Sequence, residues 1–281
     1  MIKGSAKYIF VSTIIIVLHF ALAQRADGQT EAAAGHTGTA EQLKQARGFF
    51  ALPLELDFDS GAANGDAQIL RIMPLYTFPV LEKWKLVNLS IITLADAPGG
   101  IPAFPGDPGG GQSTGVSDLL HASFVTPHHT GDFIWGLGAI LALPTATDDS
   151  LGSGKWAAGP AVRVTYRKGP WNLGLIASQR WSFAGSDNRA DVNQLLLRGA
   201  VRRQLPNDWF FVYAPLITAN WDSPGEKWLV PVGGGIGRSF KFNKHPWAWS
   251  VQGYYNAIKP DAAPDWVVRF AIVAAIPFGE D

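Results

Sequence analysis

The sequence predicts an all-β protein, an antiparallel transmembrane β-barrel of about 12 strands, preceded by a cleaved N-terminal signal peptide. Three observations carry this expectation. Apolar and polar residues alternate in segment after segment, and the tryptophans stand at the ends of those segments. Beyond the N-terminal stretch, no window is apolar enough for a spanning helix, so any membrane crossing must be made by strands. The composition agrees: the chain is 47% hydrophobic but only 16% charged, against roughly 25% in a soluble domain.

At the N-terminus, Lys3 and Lys7 precede an apolar stretch over 9–22, and Ala21-Leu22-Ala23 supplies a small-x-small cleavage site. Ser12, Thr13 and His19 interrupt that stretch and leave it short of a span. The expected organisation is a signal peptide over 1–23, a flexible periplasmic segment over 24–48 and an outer-membrane barrel over 49–281. Within the second segment, only residues 39–42 resemble a helix-start capping box.

The strand pattern begins at Phe49. Leu52, Leu54, Leu56 and Phe58 alternate with Pro53, Glu55, Asp57 and Asp59, which gives one apolar and one acidic face. Val162, Val164 and Tyr166 similarly oppose Arg163, Thr165 and Arg167, and Leu195, Leu197 and Val201 oppose Gln194, Arg198 and Arg202. Near the C-terminus, Trp266, Val268, Phe270 and Ile272 oppose Val267, Arg269, Ala271 and Val273. Connections alternate between short and long, as a barrel with a periplasmic N-terminus and longer outer loops requires.

Indole collects where apolar lipid meets water. Trp84, Trp171 and Trp209 follow short turns, whereas Trp156, Trp228 and Trp266 flank long loops, so these six are expected to form the interface girdles. A soluble β-sandwich would instead bury Trp at mid-strand.

Charges are too costly to aim at hydrocarbon. Glu55, Asp57, Arg71, Arg163, Arg167, Arg180, Arg198, Arg202 and Arg269 are therefore expected to line the lumen. They make either a cationic constriction that orients anionic solutes or a set of pairs that fills a narrow barrel; the second is favoured by the limited room.

The equal count of 23 basic and 23 acidic residues leaves no basic excess for nucleic acid, and with no cysteine there is neither a disulfide nor a thiolate site. No metal or cofactor is expected, since His128-His129 and Asp148-Asp149 are read as solvated turn and loop residues without a third ligand. The glycines at 233–237 lack the helix and acidic partner of a dinucleotide loop and are read as letting a strand bend or bulge.

His121-Ala122-Ser123 resembles the His-x-Ser of outer-membrane phospholipases, where the pair faces lipid. Here Leu120, Ala122 and Phe124 read as the lipid face, which turns His121 and Ser123 inward, and no matching Asn is recognisable. No catalytic residue is therefore expected, and the chain reads as a non-enzyme.

The C-terminal half carries Leu143-Pro144-Thr145, Gly152-Ser153-Gly154-Lys155-Trp156, Trp181-Ser182-Phe183-Ala184-Gly185, Asn220-Trp221, Lys227-Trp228, Gly237-Arg238 and Tyr254-Tyr255-Asn256. In these it resembles the outer-membrane family named after the MetA pathway of phenol degradation, whose members are often labelled transporters. The resemblance covers roughly residues 133–278. It implies a barrel in the outer membrane of a Gram-negative bacterium that passes small compounds, aromatic or hydrophobic ones among them, with outer-membrane lipid and the assembly machinery as partners. The alternatives are a closed barrel acting through its outer loops and, less favoured, a barrel lipid hydrolase.

Overall fold

The computed structural model describes residues 48–98, 111–128, 131–243 and 245–278. The expected signal peptide over 1–23, the segment over 24–47, His129 and most of the loop between 96 and 115 lie outside the described residues.

Among the described residues, fifteen strand segments run in chain order: β1 (Gly48–Ser60), β2 (Ala67–Ile72), β3 (Leu75–Leu81), β4 (Trp84–Ala97), β5 (Ser113–Val116), β6 (Leu119–Pro127), β7 (Phe133–Leu143), β8 (Lys155–Lys168), β9 (Trp171–Gly185), β10 (Asn193–Gln204), β11 (Trp209–Tyr213), β12 (Leu216–Asn220), β13 (Trp228–Phe242), β14 (His245–Ile258) and β15 (Trp266–Phe278). All pairings are antiparallel, and β15 pairs β1 along its whole length, which closes the sheet on itself. β2 with β3, β5 with β6 and β11 with β12 are each one barrel strand interrupted once, so the fifteen segments make a closed barrel of twelve.

The interruptions have local causes. Pro74 and Pro215 have no N–H for the ladder, yet their carbonyls still accept from Ser90 N at 3.1 Å and Gly199 N at 3.2 Å. In the third, Asp118 leaves the ladder and turns its carboxylate to the loop between β7 and β8. Short turns at 82–83, 169–170 and 205–208 gather at the end that holds the start of β1 and the finish of β15, and longer connections gather at the other.

The burial pattern is inside-out relative to a soluble protein. Phe270 is 47% exposed while its neighbour Arg269 is 3% exposed. Leu137, Val162, Phe211, Val232, Val251 and Val268 extend the exposed apolar belt around the wall. A continuous apolar exterior with charges sealed inside is the pattern of a strand-built membrane span.

One strand corrects the sequence reading. Leu120, Ala122 and Phe124 of β6 do not face lipid; they pack inward with Val87, Ile140 and neighbouring apolar groups. His121 and Ser123 consequently point outward, on the same face as exposed Val125. Both faces of β6 can carry apolar groups because part of this lumen is itself apolar. The glycine run lies inside β13, and the irregularity in that strand falls just ahead of it, between Val230 and Pro231.

Gly185 ends β9 at φ +128°, and a Cβ there would stand 2.4 Å from the Gly154 carbonyl oxygen. Gly185→Ala is expected to cost about 1–3 kcal/mol. The check is a lower temperature at which the compact, fast-migrating form of the folded barrel is lost on unheated gels.

Candidate functional site

The lumen is built by three sets of inward positions. On β15, β1 and β2, alternation aims Arg269, Glu55, Asp57, Asp59 and Arg71 into the barrel, and the register sets Asp57 opposite Arg269 and Glu55 opposite Arg71. Arg269 grips Asp57 with two parallel bonds, Nε to Oδ1 at 2.7 Å and Nη2 to Oδ2 at 2.8 Å. It also approaches Glu55 at 3.6 Å and donates to the Ala214 carbonyl at 2.8 Å, at the interruption between β11 and β12. Arg71 pairs with Asp57 from the other side, and Arg198 reaches across from β10 to Glu55. The fork of a guanidinium matches a carboxylate with two bonds, which explains arginine at these sites.

The second set is basic. Pairing sets Lys85 beside Thr126, Gly136 beside Arg163, Arg163 beside Ile176, and Ile176 beside Arg198, and a Cβ on Gly136 would stand 2.5 Å from Thr126 Oγ1, so one row of inward positions runs across β4 and β6–β10. Gly136 leaves room for the Arg163 stem: a Cβ there would stand 3.0 Å from Arg163 Cγ. Towards the short turns a further row holds Arg167, Asn172 and Arg202. Arg202 donates to Gln204 at 3.0 Å and Ser239 at 2.6 Å and lies 3.7 Å over the Phe210 ring. Among the described residues, no carboxylate pairs with Lys85, Arg163, Arg167 or Arg202. Arg180, fully buried on β9, donates to Gln194.

The third set is apolar and was missed from the sequence. Leu89, Ile91, Leu120, Ala122, Ile140, Ile176 and Leu196 form a continuous inner wall that encloses a cavity of about 10 Å³ against Arg198. The signal was present in β4, where Val87, Leu89, Ile91 and Ala95 are as apolar as Leu86, Ile92 and Leu94 on the other face. A strand apolar on both faces meets apolar surroundings on both.

Space inside is small. Beside Asp57, Arg71, Tyr254 and Arg269 a cavity of about 30 Å³ remains, room for roughly two waters. At the long-loop end, fully buried Asp118 accepts from Ala146 N at 3.2 Å and from Ser153 N and Oγ at 2.7 Å. Arg189 ties the same loop through the Asp149 and Gly152 carbonyls, both at 2.5 Å. The loop between β7 and β8 therefore folds inward and buries Leu151 instead of standing free. At its exposed tip, Asp148 accepts from Ser150 Oγ at 2.6 Å and N at 2.9 Å, and these two bonds hold its carboxyl below the usual range. Among the described residues no three His, Cys, Asp or Glu side chains gather as a metal site.

The six girdle candidates lie outward near strand ends. Trp84 meets Trp135 edge-on at 6.1 Å and Trp209 meets Trp249 at 5.8 Å at the short-turn end. Trp228 meets Trp221 at 5.5 Å and Trp266 meets Tyr255 at 4.9 Å at the other, while Trp156 and Trp171 are exposed.

No protein-family model and no curated protein sequence matches the chain. Among solved structures it is similar to an outer membrane channel from Pseudomonas putida F1, with a TM-score of 0.55 and 13% identity over 90% of this chain and 100% of that one. A Pseudomonas aeruginosa FadL homologue matches with a TM-score of 0.38 and 10% identity over 83% of this chain and 89% of that one. The P. putida toluene transporter TodX matches with a TM-score of 0.40 and 11% identity over 88% of this chain and 95% of that one. The first of these likenesses shows the fold, a closed antiparallel β-barrel.

Proposed function

We propose that this barrel is a passive channel or uptake protein for small compounds, aromatic or hydrophobic ones among them, with anionic solutes favoured. The observation that carries the reading is the divided lumen: Lys85, Arg163, Arg167 and Arg202 stand without carboxylate partners among the described residues, beside an apolar wall from Leu89 to Leu196. A carboxylated aromatic needs both surfaces, cations for its head and apolar groups for its ring. The channel of like fold from P. putida F1 and the motifs in which the chain resembles the phenol-degradation family support the same reading. The outward tryptophans anchor the barrel at the two lipid–water boundaries in this picture, and outer-membrane lipid and the assembly machinery are its other partners.

The test is solute flux into vesicles that contain the full folded chain. Benzoate is expected to enter faster than a cationic aromatic of similar size. Equal, background-level entry of both, also after removal of residues 24–47, contradicts the proposal.

A second reading, a closed barrel acting through its outer loops, is favoured by the ion-pair network and the small residual cavity. Shortening the loops within 96–115 and 145–155 separates the two, since surface binding is then lost while any flux persists.

A further inference from the structure

Four polar side chains meet on the outward wall of β4 and β6. His121 Nε2 lies 3.2 Å from Ser123 Oγ, Ser90 Oγ lies 2.9 Å from His121 Nδ1, and Ser123 Oγ lies 2.8 Å from the side-chain amide of Asn88. The register explains the meeting: Ser90 is directly opposite His121, Asn88 is directly opposite Ser123, and residues two apart share a face. Across β7 the same rows continue as Leu141 and Ala139.

Polar groups on a hydrocarbon-facing wall are costly, and the lumen makes no use of these. Asn88 supplies a second, independent observation. It is 4% exposed, yet its Nδ2 has no hydrogen-bond partner. Turned over, the amide donates through Nδ2 to Ser123 Oγ. That frees the Ser123 O–H to donate to His121 Nε2, and the Nδ1–H of His121 then donates to Ser90 Oγ. One amide rotation thus gives Nδ2 a partner, moves Oδ1 into the position Nδ2 leaves, and sets serine, base and orienting group in the order nucleophilic catalysis requires.

We propose that Ser123 and His121 are a lipid-facing nucleophile and base that cleave long-chain acyl esters delivered from the bilayer, with Ser90 as the positioning residue for the imidazole. Ser123 Oγ attacks the ester carbonyl carbon as its proton passes to His121 Nε2. The carbon–oxygen bond to the leaving alcohol breaks as Nε2 returns that proton to it. Water drawn from the membrane boundary then attacks the acyl-serine with the same base, releasing the fatty acid and restoring the hydroxyl. Strand geometry sets Ser123 roughly 10 Å from the level of Pro127 and the short-turn tryptophans, on the side of the nearer lipid leaflet.

The experiment uses the full barrel in detergent micelles, an alkyl fluorophosphonate that tags activated serines, and a long-chain p-nitrophenyl ester. The folded wild type is expected to be tagged at Ser123 and to hydrolyse the ester. Ser123→Ala and His121→Asn lower both by about 100-fold or more, with the folded form retained on unheated gels. Ser90→Ala slows tagging, and Ser90→Thr, which keeps the hydroxyl, restores it. A folded wild type that is neither tagged nor hydrolytic overturns the proposal, and so does tagging or hydrolysis that is unchanged in Ser123→Ala.

Discussion

Arg269→Ala is expected to cost the barrel about 3–5 kcal/mol, because it removes the partner of carboxylates that are already sealed from water. Asp57 and Glu55 are 2% and 7% exposed, and Arg269 supplies two of the bonds to Asp57. Arg71 still reaches Asp57 and Arg198 still reaches Glu55, but three carboxylates, Asp59 included, would then share a wall with one fewer cation. The strand junction suffers as well, since Arg269 bonds the Ala214 carbonyl where β11 breaks from β12. Urea titration of the folded barrel in lipid vesicles measures the loss. Arg269→Lys is expected to recover only part of it, because an ammonium keeps the charge without the two-pronged geometry. An Arg269→Ala barrel as stable as the wild type would show that the network contributes nothing to the fold.

The second large effect lies one residue away on the opposite face. Phe270 points at lipid, packs edge-on against Phe58 at 6.1 Å and stands near the middle of β15. Phe270→Arg is expected to destabilise by about 2–4 kcal/mol, the cost of a guanidinium near the bilayer midplane. An arginine is thus required at 269 and penalised at 270, a contrast that follows from strand alternation in a closed wall. Equal tolerance of charge at both positions in the same urea titration would contradict the assignment of inside and outside.

Where a strand carries charge away from its short-turn end, its phase is legible in the sequence; Arg203 and Arg238, close to that end, stand outward beside Trp171 and Trp209. Asp57, Arg163, Arg198 and Arg269 each fixed which face turned inward, because no ionised side chain is cheaply aimed at hydrocarbon. β6 has no such marker. Its stronger apolar set, Leu120, Ala122 and Phe124, reads as a lipid face, whereas the lumen beside β4 and β7 is apolar enough to accept it. The neutral polar set, His121 and Ser123, tolerates the outer wall because Ser90 and Asn88 bond it there. Ion-pair identities were not legible either. Asp57 and Arg269 are 212 residues apart, and only the closure of β1 on β15 brings them together. The prolines at 74 and 215 mark breaks in retrospect, but alternation resumes in the same strand direction, so each interrupted strand still reads as one.

The central claim, that the divided lumen carries small solutes, is tested most directly by single-channel current in planar bilayers. The full folded chain is expected to give discrete current steps with anions carrying more of the current than cations, since among the described residues bases without carboxylate partners dominate the short-turn half of the lumen. Arg198→Ala, which opens the apolar cavity and leaves Glu55 beside Arg269, is expected to enlarge the steps. A folded barrel that shows no steps, as wild type and as Arg198→Ala alike, would contradict the account and leave a closed wall.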